Sequence, residues 1–338
     1  MAVSISSRLD QPALLVLLAD GHLHSGEWLA QELRVSRAAV WKGVERLRAL
    51  GVEIQALPRR GYRLPDPVEM LDRRRIDAEL DPVHRAQVRA FELLFEVDST
   101  NTRLLAAPPP PPGSADICLS ELQHAGRGRR GRSWIAPFGA GIALSVSWTF
   151  NDGARTLPAL SLAVGVAVWR ALARAGARGV TLKWPNDIWF QERKLGGVLI
   201  ELRAEASGPA HVVIGIGINV ALPAAARREI EAGGVRVAAV ADACPAAPSR
   251  NLVAGAILDE LLSMLGQFER EGFAAFRDAW MALDALSGRP ARVLLAETGI
   301  SGMACGVDPE GALLLDTGDG VQRFVSGEAS LRLSKGVT

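Results

Sequence analysis

Apolar positions near the start of the chain recur with the spacing of three short helices. Residues 12–21, PALLVLLADG, carry apolar side chains at helical intervals up to a glycine. Ser25 and Ser36 each stand directly before a further helical run, which extends to Leu33 and Leu50 respectively, and serine is a favoured N-cap residue. Two residues separate these runs, which predicts a helix-turn-helix.

The pattern changes to alternation in residues 52–64, VEIQALPRRGYRL, and predicts two strands around a turn at residues 58–61. This wing completes a winged helix-turn-helix domain over residues 1–65. Residues 1–64 hold nine Lys and Arg against six Asp and Glu, a net charge of +3. The basic residues lie on the third helix and the wing tip, the two surfaces that a winged helix presents to DNA. We therefore predict DNA contacts from Ser36, Arg37, Trp41, Lys42, Arg46, Arg59 and Arg60. The alternative is a three-helix module that docks another protein.

Residues 66–90 are rich in Pro, Asp and Arg and predict a linker with a short helix. From 91 to 283, apolar strands alternate with helices, which predicts a mixed α/β domain. A helix is expected at 157–176, and it is too short in apolar length to cross a bilayer. The proline run at 108–112 predicts a stiff surface loop.

Short strands separated by DPEG and TGDG turns fill residues 284–338 and predict a small β-barrel. The fold class expected for the whole chain is α+β, in three domains with a linker between the first two. A length of 338 residues agrees with that number of domains.

Composition restricts the cellular setting and the cofactors. The net charge is +1, so any affinity for nucleic acid must be local. Three cysteines far apart in sequence favour reduced thiols in a cytoplasmic protein. The five histidines show no ligand spacing, which argues against a structural zinc site. The first 21 residues lack the pattern of a signal peptide, and no interaction with a membrane is expected.

Four clusters of polar residues and glycines lie between the strands of the α/β domain. They are DSTN (98–101), Gln123 with the glycine- and arginine-rich stretch 126–132 (the Gly/Arg loop), KWPND with KLGG (183–187 and 194–197), and GIGIN (215–219). Each has a structural alternative, since DSTN is a common helix N-cap, KWPND a turn and GIGIN a tightly packed strand. Their occurrence together on alternating strands predicts one ligand site.

These motifs, in this order, resemble the family of bifunctional biotin protein ligases that also act as biotin operon repressors. The resemblance covers nearly the full length: SGEWLAQELRVSRAAVWKGVERLRALGV and LPRRGYRL resemble the family's winged helix, and GVDPEGALLLDTGDG resembles its C-terminal domain. QHAGRGRRGRSW, PFGAG, KWPNDIW, KLGGVLIEL and GIGINV resemble the catalytic domain. The sequence departs from the family in its proline run and in AGIAL (140–144). The resemblance implies a biotin/lipoate-ligase-type catalytic domain and an SH3-like C-terminal barrel.

The reaction that the resemblance implies has two steps. The biotin carboxylate attacks the α-phosphate of ATP, which gives biotinoyl-5′-AMP and pyrophosphate. A lysine of biotin carboxyl carrier protein then attacks this mixed anhydride. The family also implies Mg²⁺, a homodimer, and biotinoyl-AMP as the corepressor for operator DNA.

Site residues follow from the resemblance position by position. Biotin is expected to contact Ser99, Thr100, Asn101, Gln123, Arg127, Gly128 and Arg129, and Gly126 is placed with them. Arg130, Gly131, Arg132 and Trp134 are expected to close over the adenylate. The expected catalytic residues are Lys183, Asp187, Lys194 and Arg129, with Asp187 as the Mg²⁺ ligand. Asn186, Gly196, Gly197 and Asn219 are expected at the nucleotide.

Two other functions compete with this interpretation. A lipoate or octanoyl transferase shares the catalytic fold, but an octanoyl transferase needs a nucleophilic cysteine, and Cys118 lies within a strand pattern. A ligand-sensing transcription factor without catalysis would not need Lys183, Asp187 and Lys194.

Overall fold

A computed structural model describes residues 9–151, 159–204, 209–295, 298–325 and 330–333. The chain forms two compact units. The first contains the residues up to Leu71 together with Pro137–Gly139, and the second contains Asp72–Ala136 and the chain from Ala140 onward. Among the described residues, no helix combines the length and the apolar character needed to cross a bilayer.

The first unit is the predicted winged helix-turn-helix. Its elements are α1 (Gln11–Leu18), α2 (Gly26–Glu32), α3 (Arg37–Ala49), β1 (Gln55–Leu57) and β2 (Gly61–Arg63). Ser25 Oγ accepts from Trp28 N at 3.0 Å and Ser36 Oγ accepts from Ala39 N at 3.2 Å, so both predicted N-caps are confirmed.

Leucines from all three helices of this unit form its core, and Leu14, Leu29 and Leu47 are fully buried. The wing is held to the helices through backbone hydrogen bonds, because His24 and Tyr62 exchange two of them at 3.0 and 2.9 Å. The main chain thus ties the wing to the segment that precedes α2.

The second unit has a large sheet flanked by helices. Its helices are α4 (Arg73–Asp77), α5 (Pro82–Gln87), α6 (Thr100–Ala106), α7 (Leu160–Arg174), α8 (Ala224–Ala232), α9 (Val240–Ala243), α10 (Arg250–Glu271) and α11 (Ala274–Leu283). The strands of the large sheet are β3 (Val88–Val97), β4 (Ala115–Gln123), β5 (Gly141–Phe150), β6 (Val180–Lys183), β7 (Asp187–Phe190), β8 (Arg193–Ala204) and β9 (Ala210–Asn219). Their order is β3-β4-β5-β9-β8-β7-β6, with β3 and β4 parallel and every other neighbouring pair antiparallel.

A smaller antiparallel sheet lies near the C-terminus. Its strands are β10 (Pro290–Leu295), β11 (Thr298–Val307), β12 (Leu313–Asp316), β13 (Val321–Phe324) and β14 (Ser330–Leu333), in the order β13-β12-β11-β10-β14. The DPEG and TGDG segments each connect two of these strands, as predicted.

Two details differ from the sequence-based prediction. Residues 72–90, predicted as part of a linker, belong to the second unit, where they form α4, α5 and the first residues of β3. Arg73 stacks there on the ring of Phe91 at 3.8 Å. The helix predicted at 157–176 spans 160–174, and residues 157 and 158 lie outside the described residues.

Strand β5 separates an apolar layer from a polar layer. Trp148 and Phe150 point toward α10, where Phe150 and Phe268 have ring centroids 6.0 Å apart. Side chains alternate along a strand, so Ser145 and Ser147 point to the opposite face. Helix α6 covers that face, and the site residues lie beside it.

Candidate active site

Two glycines of β9 provide the surface on which two predicted site residues lie. A β-carbon at Gly215 would come within 2.3 Å of Asn101 Oδ1, and one at Gly217 would come within 2.5 Å of Trp134 Cε2. Residues two apart on a strand share a face and are separated by about 6.6 Å. Asn101 and Trp134 therefore lie side by side over the same strand, and only glycine leaves room for them.

The DSTN residues form a buried polar cluster at the start of α6. Ser99, Thr100 and Asn101 are each at most 4% exposed. Thr100 donates to Gln123 Oε1 through its backbone N at 2.9 Å and its hydroxyl at 3.2 Å. Ser99 occupies the N-cap position, but its side chain accepts no capping hydrogen bond. The N-cap explanation of this motif therefore accounts for the backbone but not for its buried hydroxyls.

Two residues that the sequence analysis did not identify complete this cluster. Ser145 Oγ donates to Asn101 Oδ1 at 2.6 Å and lies 2.7 Å from Thr100 Oγ1. Asn101 Nδ2 donates to Glu201 Oε2 at 2.8 Å. The alternation of serine with apolar residues in ALSVSW was a usable signal for Ser145. Glu201 gave no local signal.

The Gly/Arg loop is folded on itself. Trp134 N donates to Gly126 O at 2.8 Å, and Gly128 N donates to Arg132 O at 2.7 Å. Gly126 is required at this crossing, because a β-carbon there would lie 2.6 Å from Trp134 O. Arg130 adopts φ +59° and turns the chain at the tip of the loop, which both of these bonds enclose.

The guanidinium groups of the loop point to different surroundings. Arg127 reaches Glu201 Oε2 at 3.1 Å and Thr102 Oγ1 at 3.0 Å. Arg129 contacts Asn186 Oδ1 at 3.4 Å. Burial lowers the pKa of Arg129, and the neighbouring Arg130 lowers it further, while Asp187 acts in the opposite direction. Positive charge is thus held in partial burial, an arrangement suited to an anion.

The predicted catalytic residues meet at the KWPND–KLGG hairpin. Lys183 and Asp187 are paired across β6 and β7, and Asp187 is paired with Gly197 across β7 and β8. Lys194 Nζ lies 2.6 Å from Asp187 Oδ1 and 5.8 Å from the centroid of the Trp134 ring. Lys183 Nζ lies over the Trp189 ring, 4.3 Å from its centroid. The charged groups beside Trp134 are therefore the Lys194 ammonium and its Asp187 partner.

Two predicted nucleotide residues make backbone contacts through their amides. Asn186 Nδ2 donates to Val198 O at 2.7 Å. Asn219 is 3% exposed, and its Nδ2 donates to Ala238 O at 3.1 Å. Ala238 N also donates to Lys194 O at 2.9 Å. These asparagines therefore fix the backbone that carries Lys194.

Cys118 has none of the properties of a nucleophilic thiol. It is fully buried in an apolar cluster with Leu104 and Val213. Burial raises its pKa to about 12. A thiolate is the reactive form, so this cysteine does not support acyl transfer.

The first unit carries a separate groove of about 580 Å³ between α3 and the wing. Arg37, Trp41, Arg59 and Arg60 line it together with Glu27. Trp41 is 55% exposed, although tryptophan is mostly buried in folded proteins. Of the remaining residues predicted to contact DNA, Lys42 and Arg46 are exposed on α3 and Ser36 caps it.

Comparison with known families divides the chain into three matched segments. The biotin/lipoate A/B protein ligase family matches residues 94–219. A helix-turn-helix domain matches residues 8–63, and the biotin protein ligase C-terminal domain matches residues 286–332.

Individual relatives extend this similarity over most of the chain. The bifunctional ligase/repressor BirA of Escherichia coli is 38% identical over 94% of this chain and 96% of its own length. The biotin–[acetyl-CoA-carboxylase] ligase of Paracoccus denitrificans is 32% identical over 66% of this chain and 92% of its own. The structure of the Aquifex aeolicus biotin protein ligase in complex with biotin and ATP superimposes with a TM-score of 0.60 at 30% identity, over 73% of this chain and 100% of that one.

Proposed function

The chain belongs to the bifunctional biotin ligase/repressors of the biotin/lipoate protein ligase family, and from that premise we propose that it attaches biotin to a lysine of an acceptor protein at the expense of ATP. One observation carries this proposal. A buried hydroxyl–amide cluster and a cationic end occupy adjacent positions of a single strand face, at Gly215 and Gly217. A neutral polar head group and a charged adenylate fit those two ends.

In the first step, the biotin carboxylate attacks the α-phosphate of ATP and pyrophosphate leaves. Like charges approach each other in this step, so cations that act on the developing charge lower the barrier. Lys183, Lys194 and Arg129 are the groups we assign to this role. The hydroxyls of Ser99 and Thr100, with Gln123, are assigned to the biotin head group.

Trp134 is assigned to cover the nucleotide, with Arg130 and Arg132 at the solvent side of the adenylate. The indole Nε1 of Trp134 is buried and has no hydrogen-bond partner among the described residues, so it can donate to a bound ligand. We assign Gly128, Gly131, Gly196 and Gly197 to the close approach of the backbone to that ligand. Gly196 also packs against β9, where a β-carbon would lie 2.7 Å from Gly217 O.

In the second step, a neutral acceptor lysine attacks the anhydride carbonyl, and AMP leaves. A lysine of ordinary pKa, about 10.4, is almost entirely protonated at pH 7, so its deprotonation must be assisted. Asp187 is assigned to attract the incoming ammonium and to take part in its deprotonation. The acceptor that we propose is biotin carboxyl carrier protein.

Magnesium fits the site only through one protein carboxylate. The described residues contain no group of three or more His, Cys, Asp or Glu side chains that could hold a metal. Mg²⁺ commonly binds through one or two carboxylates with substrate phosphates. Asp187 is the residue that would hold it, and the ion would supply charge neutralisation at the phosphates.

The two competing enzyme and sensor functions are separated by one assay. Biotin-dependent exchange of pyrophosphate into ATP requires the first step of the ligase reaction. Exchange with lipoate instead of biotin would redirect the proposal to a lipoate-type ligase. Tight biotin binding without any exchange would leave a sensor.

We also propose that the groove of the first unit binds operator DNA and that the protein represses transcription as a biotinoyl-AMP-bound homodimer. A single winged helix offers a small surface, and two copies on a palindromic site would supply the missing contacts. Sedimentation with and without biotinoyl-AMP tests this, and equal monomer fractions would contradict it. All three cysteines are unpaired, which supports a cytoplasmic location.

A further inference from the structure

Glu201 lies where three separate parts of the second unit meet. It belongs to β8, and its Oε2 accepts from Asn101 Nδ2 of α6 at 2.8 Å and from an NH2 group of Arg127 at 3.1 Å. The same guanidinium nitrogen donates to Thr102 Oγ1 at 3.0 Å. One carboxylate oxygen thus joins the Gly/Arg loop to both the sheet and α6.

The two partners of Glu201 differ in their freedom to move. Asn101 is 3% exposed, lies against Gly215 and accepts from Ser145, so its position is fixed. Arg127 belongs to a loop whose internal bonds, such as Gly128 N to Arg132 O, do not depend on the sheet. Glu201 is therefore a fixed acceptor that faces a loop whose internal hydrogen bonds are independent of the sheet.

The hydrogen bond from Arg129 of the loop to Asn186 of the KWPND–KLGG hairpin is weaker than the Arg127–Glu201 contact. Arg129 meets Asn186 at 3.4 Å, a long distance for a neutral acceptor. The Arg127–Glu201 contact is charge-assisted and shorter, and the two side chains are 43% and 25% exposed. This ion pair is strong enough to favour the observed position of the loop, and it is accessible enough to solvent to break.

We propose that Glu201 is a positioning residue that latches the Gly/Arg loop closed through Arg127 and so sets the lifetime of the bound adenylate. The identity of the ligand, an adenylate, rests on the proposed function. The Arg127–Glu201 contact does not. Glu201 touches no reacting atom in this proposal. Its loss should free the loop while leaving the lysines and Asp187 in place.

Glu201→Gln tests the latch, because the amide oxygen still accepts from Asn101 while the charge opposite Arg127 is removed. Release of preformed radiolabelled biotinoyl-AMP into an excess of unlabelled compound should accelerate about three- to tenfold, a modest effect because the pair is partly exposed. The single-turnover rate of adenylate formation should change less than twofold. Raising the salt concentration should shrink the difference from the parent protein.

Arg127→Gln should accelerate release at least as much, because Arg127 is also predicted to contact biotin. Adding Glu201→Gln to Arg127→Gln should accelerate release no further. Glu92→Gln is the matched control. Glu92 lies on edge strand β3, pairs with Arg103 of α6 and does not touch the loop. This control should release the adenylate at the parent rate. Additive effects of the two latch variants, or unchanged release in Glu201→Gln, would overturn the proposal.

Limited trypsin digestion without any ligand separates the latch from the proposed function. The loop carries four arginines, and an open loop is cut faster than a closed one. Cleavage within residues 127–132 should accelerate in Glu201→Gln and not in Glu92→Gln. A parent protein that failed to bind biotinoyl-AMP would contradict the proposed function, whereas equal digestion rates would contradict the latch.

Discussion

The indole of Trp134 lies directly on the backbone of Gly217, where a β-carbon would approach Cε2 to 2.5 Å. Gly217→Ala should therefore displace the indole without disturbing the register of β9 and should weaken adenylate retention at least tenfold. Gly266→Ala in α10 is the control, because a β-carbon there meets nothing closer than 3.5 Å. Calorimetric titration with biotinoyl-AMP measures both. Equal affinity in Gly217→Ala would remove Trp134 from the site.

Arg129→Ala should preserve the fold but loosen binding of biotin and of the adenylate. Loss of a charge-assisted contact of about 1.5–3 kcal/mol corresponds to roughly ten- to hundredfold in affinity. Arg228→Ala, at an exposed position of α8, serves as the control. Titration with biotin that gave the parent affinity would show that Arg129 does not contact the ligand.

Lys194→Ala should slow adenylate formation by about 10²–10³, the range seen when one preorganised donor to developing charge is lost. Stability should fall by no more than about 1 kcal/mol, because the Lys194–Asp187 pair is partly exposed. Arg193→Ala, a substitution at the residue of β8 that precedes Lys194, should keep the parent rate. Pyrophosphate exchange at the parent rate in Lys194→Ala would exclude the assigned role.

Asp284 makes stability depend on pH. Burial raises its pKa to about 6 from 3.8, and its Oδ2 is buried without a hydrogen-bond partner in the described structure. The folded protein therefore holds this proton more tightly than the unfolded chain. The resulting stabilisation is complete below pH 4 and is lost as the pH rises through about 6.

Asp284→Asn should remove this dependence, because the amide oxygen can still accept from Leu286 N. The unfolding free energy of the Asp284→Asn variant minus that of the parent should increase between pH 4 and pH 6, by about 2 to 3 kcal/mol at most. Urea denaturation at pH 4.5 and pH 7.5 measures the change. A difference that did not vary with pH would show that Asp284 titrates normally.

Removal of residues 1–65 should abolish DNA binding and leave acceptor biotinylation in place, because every helix and strand of the first unit lies within them. In the full chain, DNA affinity should rise with biotin plus ATP. It should fall with salt by about 0.9 log unit per log unit of salt for each phosphate neutralised. Arg37→Ala should reduce that slope by about one contact. Electrophoretic mobility shifts over a salt series test this, and a truncated chain that still bound operator DNA would refute it.

The sequence by itself determined the elements whose signals are local. Ser25 and Ser36 cap α2 and α3 because a serine before a helical run supplies the acceptor that the first turn lacks. The wing and the two turns of the small sheet were equally predictable, because glycine, proline and aspartate fix a turn within four residues. The glycine motif GIGIN identified a close approach, although not what approaches it.

Only the tertiary structure decided which side chains meet across the site. Glu201 binds Asn101 and Arg127, which are 100 and 74 residues away in sequence, and no local pattern distinguishes it from a surface glutamate. Asn219 is predicted from its motif to contact the nucleotide, and only the structure shows that its side-chain amide also donates to the Ala238 carbonyl. Such contacts depend on the register between strands and on which face each side chain occupies. A one-residue shift in register reverses every face, and the register between distant strands is fixed only when their buried faces pack together.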